Sequence, residues 1–538
     1  MKRLWLILAG IGSATAVALL TIFSPTSKAA PAAATYYVCD CQPGADGDCV
    51  AGNDANSGTS PAAPWQTYQQ ARAFYNSSIA AGDEILFCQG GAHDMGGDPD
   101  NIWAATSCTA GQPCTLADYT APWGSGDEGR PILQRSNDGH GIYLLNDSGH
   151  IFQNLDMRCT GCVGQNASGW AFFIVEDADD ILIDNVRMDG FTIGIHLRGC
   201  INIWCSNDRV TIRNSQFTNN SAQGFLGSGS ELLIENSYFE NNGDGTVFTH
   251  NIYIAGNSGV TIRNNELCRA SLDGSGSCGG TSLVGHGVIH DLLIEDNLIR
   301  EDVGKANQTC WGIAIAPAYD GTAESYNNLI IRNNRVENVG NVAIATGSCI
   351  DCIIENNVVV NQQSFGVSAV TVRPFGTNGE DAVSSNITVR NNSIATTTGI
   401  GVELTEGSGH TIVSNAIQMT GSDINAYCFD LSLAPSSYAA IDYNVCGNSA
   451  GQWATTAANL ASWQGQGWGA NSQAAAPGFT SSTDLRPASE TAVLIDAGSP
   501  TLSSLTDFNG DVRDAQPDAG AYEWHPLTEK LFLPLVVK

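Results

Sequence analysis

Positive charge is the scarcest feature of this 538-residue chain. Its 23 lysines and arginines stand against 54 aspartates and glutamates, for a net charge of −31. A surface of that sign repels nucleic acid and anionic membranes, so neither is an expected partner. Lysine is nearly absent: beyond residue 34 only Lys305, Lys530 and Lys538 remain. Long apolar runs are missing too. After the run from Leu4 to Phe23, no segment is long enough to span a bilayer. That run follows Lys2 and Arg3 and precedes small residues, with Ala32-Ala-Ala34 or Ser27-Lys-Ala29 as cleavage sites. Residues 1–34 therefore read as an export signal, with an uncleaved anchor as the alternative. Once the signal is removed, no membrane insertion is expected, and the chain should be secreted or held at the cell surface.

Cysteine is plentiful. Seventeen cysteines in an exported chain imply disulfides. Proximity in sequence suggests Cys108–Cys114, Cys159–Cys162, Cys200–Cys205, Cys268–Cys278, Cys349–Cys352 and Cys428–Cys446, with two more bonds among Cys39, Cys41, Cys49 and Cys88. Cys310 is then the odd one out, or competes for Cys268.

An octad of the form apolar–x–apolar–x–Asn–x–x–apolar recurs about ten times between His150 and Ile417. Clear copies start at Ile181, Val210, Leu232 and Val260. Its fifth position is Asn at 154, 185, 214, 236, 264, 333, 356 and 391, Asp at 296 and Ser at 414, with gaps of 22 to 37 residues. Alternation over positions 1–4 marks a strand with one buried face. Asn at position 5 tolerates a left-handed backbone and turns the chain, and the apolar residue at position 8 opens the next strand. Stacked copies would place Asn above Asn, each amide bonding the next coil. Such a period means a solenoid. About eleven coils at roughly 4.8 Å each would give a rod on the order of 50 Å.

These octads resemble those of the right-handed parallel β-helix proteins with the pectin-lyase-like fold, over roughly residues 36 to 450. The resemblance implies an all-β solenoid. It leaves activity open, because the fold hosts lyases, hydrolases, epimerases and adhesins. The front end, Gly52-Asn-Asp-Ala-Asn-Ser-Gly-Thr59 with Pro64-Trp65 and Ala81-Gly-Asp-Glu-Ile-Leu-Phe87, is similar to the opening of many secreted β-helix proteins. At the back, Leu494-Ile-Asp-Ala-Gly-Ser-Pro500, Thr506-Asp-Phe-Asn-Gly-Asp-Val-Arg513 and Asp518-Ala-Gly-Ala-Tyr-Glu523 resemble the choice-of-anchor Q motif, apart from Ala519. Asp507, Asp511, Arg513 and Asp518 are expected to form a network closing the last coil. The expected organisation is signal 1–34, N-terminal cap and first coils 35–125, β-helix 126–450, C-terminal cap 451–525 and apolar tail 526–538. The tail reads as a sorting peptide or as a strand packed on the cap.

Chemistry is sought on the strand before each octad. Aligned, these strands point Tyr143, Phe173, His196, Leu226 and Tyr253 outward, followed by Ala314, Ala343 and Thr371. Flat rings at coil spacing suit sugars, and a satellite core under long loops is the alternative. Arg198, Asp244, His250, His286 and His290 lie around this stripe. His250, His196 and Arg198 are the expected catalytic residues; Tyr143, Phe173, Tyr253 and His286 are the expected substrate-binding ones. Gly285-His-Gly287 resembles the polygalacturonase tripeptide, but that family's other motifs are missing, which argues against hydrolysis by that route. Asp54 and Asn56, in a D-x-N-x-G string, are candidate Ca²⁺ ligands, with an Asx-turn cluster capping a helix as the alternative. Calcium would be needed to bridge a uronate to so acidic a rod. The expectation is a secreted, monomeric, polysaccharide-active protein. Its leading function is a pectate-lyase-like lyase on a uronate-containing glycan, ahead of a glycoside hydrolase. The alternative is a non-catalytic adhesin or carbohydrate-binding rod.

Overall fold

The structure, a computed structural model, describes residues 33–162, 168–199, 207–256, 258–375 and 379–525. The export signal up to residue 32, Cys200, Cys205 and the tail 526–538 lie outside the described residues. The chain folds as a right-handed parallel β-helix. Among the described residues its three parallel sheets hold 15, 13 and 12 strands, more coils than the about eleven its sequence suggests.

One octad shows how a coil forms. Ile181–Asp184 lies in the first sheet, with Ile181 and Ile183 buried. Asn185 turns the chain at φ +56°. Arg187–Asp189 enters the second sheet with Met188, octad position 8, at its centre and buried. Ile193–Arg198 then crosses in the third sheet. Every fifth-position residue from Asn154 to Ser414 has φ between +50° and +59°. These turns stack in one column, as the main-chain bonds from Asn185 to Arg213, Asn214 to Glu235 and Asn236 to Arg263 require.

The continuous amide ladder, however, runs one residue later. Position 6 points into the rod. Asn265, Asn297, Asn334, Asn357, Asn392 and Asn415 each donate Nδ2 to Oδ1 of the next member, ending at Asn444, over 2.9–3.1 Å. All seven are at most 2 % exposed. An interior amide must be satisfied by its neighbours, so a column of identical amides forms there. Position 5 faces away from the rod's interior: Asn214 is exposed and bonds Asp184 at 2.7 Å, while Asn356, Asn391 and Ser414 are buried against residues 477–525. Position 4 carries alternating charge through eight successive coils: Asp184, Arg213, Glu235, Arg263, Glu295, Arg332, Glu355 and Arg390. The four arginines at position 4 are thus half of a charge ladder.

The front is covered by α1 (Tyr68–Ser78), which buries Tyr68, Ala71 and Tyr75. Asp54 holds its N-terminus, accepting from Gln66 N at 2.8 Å, Thr67 N at 2.9 Å and Thr67 Oγ1 at 2.8 Å. The far end is covered by Trp453, α2 (Leu460–Gln464) and Trp463. Residues 477–525 do something else: they run back along the side of the rod. Arg513 pairs with Glu523 at 3.0 Å and reaches Asn356 at 3.0 Å; Ser504 bonds Asn391, and Ser499 bonds Ser414. The expected network therefore clamps the flank instead of closing the last coil, and the acid partner of Arg513 is Glu523. Leu485, Ala521 and Tyr522 pack on Val358, Val360 and Ala395 of the second sheet.

The described residues hold seven disulfides, including Cys39–Cys88 and Cys41–Cys49. Two expectations are corrected. Cys278 bonds Cys310, and Cys268 is free and buried. Proximity in sequence misled here, because in a solenoid the nearest cysteine is one coil away. No described helix is long and apolar enough to cross a membrane.

Candidate functional site

The third sheet sets the outward row. Its register runs Tyr143, Phe173, His196, Leu226, Tyr253, Val284, Ala314, Ala345 and Thr371, then Glu403 and Asp430. Val284 supplies a coil that the sequence alignment skipped. Ala345 stands where Ala343 was expected, because Ala343 packs into the core.

This row divides the expected site residues into two groups. Upstream, His140, Tyr143, Trp170, Phe173 and His196 pack on one another, with Trp170–Phe173 centroids 4.1 Å apart and Trp170–His196 4.6 Å apart. Phe173 is 8 % exposed, so these rings form a satellite core more than an open platform. Burial, reinforced by Arg198 and His140, pulls the His196 pKa down to about 4. Arg198 ends its strand exposed to solvent.

Downstream, a cavity of about 490 Å³ brings His250, Tyr253 and His286 together; His196 and Arg198 are not in its lining. Leu226 separates His196 from Tyr253 by two strand spacings, roughly 10 Å. His290 lies on the first sheet, opposite Ser258 and Asn327. Asp244 caps its own turn, accepting from Thr246 and Thr249.

The cavity walls are Phe248, Trp311, Tyr319 and Phe375. Phe248 is 77 % exposed and Tyr319 48 %, so flat apolar faces open to solvent here. On the floor, His250 Nδ1 donates to Thr281 O at 2.9 Å, which leaves Nε2 as the acceptor nitrogen. Burial lowers the His250 pKa to about 4, so its ring is neutral at neutral pH. The hydroxyls of Tyr253 and Tyr319 meet at 2.6 Å. Burial, then the Tyr319 hydroxyl, raises the Tyr253 phenol and keeps it protonated.

Beneath the sheet edge sits Glu324, fully buried, with Oε2 3.5 Å from His286 Nδ1. Its carboxylate accepts from Gly287 N, Ala318 N and Tyr319 N at 2.6–2.9 Å and from the Tyr326 hydroxyl at 3.0 Å. Burial alone would raise its pKa, but His286 and the three amides outweigh that and hold it at about 2. Sequence reasoning missed Glu324, Tyr319, Trp311 and Phe375, which lie between the octads in loops and their flanking residues, without periodicity. Arg373 stacks 4.7 Å from the Phe375 centroid and lies 3.8 Å from Glu403.

Asp54 and Asn56 do not fit a calcium site. The Asp54 carboxylate is taken by α1, and Asn56 turns Nδ2 to Pro64 O at 2.8 Å. A larger depression of about 560 Å³ lies beside them, lined by Val50, Pro64, Tyr119 and Trp123. Its only titratable lining group is the Tyr119 phenol, which burial raises, so its size does not make it the chemical centre.

Residues 134–306 match the family model of the right-handed beta helix region. No curated protein matches the chain. Solved structures with a similar chain path include a lacto-N-biosidase from Eubacterium ramulus, 13 % identical, covering 66 % of this chain and 67 % of that one at TM-score 0.44. An alginate lyase from Paenibacillus sp. strain FPU-7 is 12 % identical and covers 64 % and 99 % at 0.41. A surface adhesin of Streptococcus pneumoniae is 12 % identical and covers 66 % and 88 % at 0.43. A fold does not by itself give a function, so function is read from the side chains of the cleft.

Proposed function

We propose that this is an exported, monomeric protein that acts on a uronate-containing polysaccharide in the cleft of His250, Tyr253 and His286, by β-elimination. One observation carries the reading: neutral imidazole and protonated phenol groups face one cavity walled by exposed aromatic rings. The rings stack on sugar faces. An imidazole takes the proton α to the uronate carboxylate, and a phenol protonates the departing glycosidic oxygen. Seven disulfides suit an oxidising compartment outside the cytoplasm. The choice-of-anchor Q resemblance of 477–524 belongs to this reading as the mark of a secreted or surface-held rod. Calcium enters it only as an ion bridging the uronate to the acidic surface, with no step routed through it.

A second reading, a carbohydrate-binding rod or adhesin without catalysis, is favoured by one feature. The cavity lining contains no lysine or arginine to neutralise a uronate, and Arg373 is engaged by Phe375 and Glu403. A release assay on plant, algal and bacterial uronate polymers separates the two. Elimination gives an unsaturated product absorbing in the ultraviolet, and the bridging role predicts that a chelator suppresses it. Glycan binding without any such product supports the rod.

A further inference from the structure

We infer that His286 is the proton-abstracting residue of this cleft and that buried Glu324 is its positioning residue. The inference deepens the β-elimination reading and rests on it for the reaction, but the dyad stands on its own geometry.

His286 ends the strand Leu283–His286, with its side chain 12 % exposed at the cavity. Its Nδ1 is buried and has no hydrogen-bond partner within ordinary geometry. The atom facing Nδ1 is Oε2 of Glu324, at 3.5 Å, a separation typical of an uncommitted pair that closes when a site fills. Glu324 cannot drift, because three main-chain amides and the Tyr326 hydroxyl hold it. Gly287 makes this cradle possible. Its φ of +91° folds the amide back onto Glu324, a conformation that side chains resist. An ionised carboxylate can only accept, so the ring nitrogen that faces it carries the hydrogen. The neutral tautomer is therefore Nδ1–H, and Nε2 is the basic atom.

His250 has the same tautomer, set by the Thr281 carbonyl, but no anion behind it. An imidazolium formed at His250 would be buried against a neutral carbonyl, whereas one formed at His286 faces a carboxylate. The base is therefore His286, and His250 offers Nε2 as an acceptor to a sugar hydroxyl. Glu324 also positions the acid. Its bonds to Ala318 N and Tyr319 N fix the turn that brings the Tyr319 hydroxyl to Tyr253, whose ring lies 5.5 Å from that of His286. In the step, the α-proton passes to His286 Nε2, and its bonding pair becomes the new carbon–carbon double bond. The β-carbon–oxygen bond breaks, and the oxygen takes a proton from the Tyr253–Tyr319 pair. The imidazolium then returns its proton to the phenolate through solvent, so no co-reactant is consumed.

The test uses the full secreted chain. Nitrogen shifts in ¹⁵N-histidine-labelled protein should show His286 as Nδ1–H, and Glu324→Gln should mix its tautomers. On the uronate polymer, His286→Ala should lower kcat by at least ~10²-fold. Glu324→Gln should lower kcat more than it changes KM. A wild-type rate in His286→Ala, or an Nε2–H tautomer in the unmodified protein, overturns the assignment. If wild type releases no unsaturated product, the β-elimination reading fails, and the tautomer still decides the dyad.

Discussion

A single position in the octad, the sixth, separates interior from surface chemistry. Asn334 accepts from Asn297 and donates to Asn357, Ile294 O and Arg332 O while fully buried. Asn334→Ala strands those partners without water. It should cost about 2–3 kcal/mol, read as a lower denaturant midpoint. Asn214→Gly, at the exposed fifth position where φ is +52°, should be close to neutral by the same measurement. A second buried residue makes stability depend on pH. Burial pushes the Glu301 carboxyl up to about 8, although Ala270 N donates to it at 3.0 Å. Its folded pKa thus exceeds its unfolded value. The carboxyl favours the fold fully below the ordinary carboxylate range, and that contribution is lost as pH rises towards about 8. Glu301→Gln should flatten the fall of melting temperature between pH 5 and pH 8; an unchanged slope would show that the carboxyl is ionised throughout.

Among the elements, the first sheet carries its register in charge as well as in apolar alternation. Each arginine at position 4 meets an acid on the neighbouring coil, as in Arg263–Glu235 at 2.7 Å and Arg332–Glu295 at 2.7 Å. Each pair is partly exposed and contributes little alone. A one-coil slip, however, would set like charges opposite one another. Glu295→Lys sets a cation between Arg263 and Arg332, making three in a row. It should destabilise the fold by roughly 1–2 kcal/mol, an effect that high salt suppresses in urea unfolding. Equal losses at low and high salt would mean that packing, not charge, is what the column provides. The third sheet has no such ladder. Its outward residues change from rings to alanines along the rod, and the loops between coils decide where a cleft opens.

For the whole molecule, the flank formed by 477–525 is the main departure from a simple stack. It shields coils whose second-sheet strands are apolar on both faces, such as Val358–Asn361 with Val358, Val359 and Val360 all buried. Arg513 is its clamp, buried against Glu523 and bound to Asn356 on the rod. Arg513→Ala leaves Glu523 uncompensated and should cost about 3–5 kcal/mol. Limited proteolysis should then cut the flank before the coils. If rod and flank still unfold together at the wild-type midpoint, the clamp is not what joins them.

The octads determined the coil by themselves. Strand alternation, a left-handed Asn turn and a fixed repeat are local properties, so the three sheets and the turn column were legible, as was the aromatic content of the third sheet. The double apolar face at Val358–Val360 was a legible sign of the flank that went unread. Other outcomes needed the third dimension, because each depends on what lies one coil away at unequal loop lengths. They include the inward turn of position 6, the bond of Cys278 to Cys310 across neighbouring coils, and the separation of His196 from His250 by Leu226. The placing of Glu324 beneath His286 is the clearest case. These residues are 38 apart in sequence and meet because Ser325 pairs with Val288 of the preceding coil, which seats Glu324 beside Gly287. Loops carry no period, and the main-chain donors that hold that buried carboxylate are set by the fold.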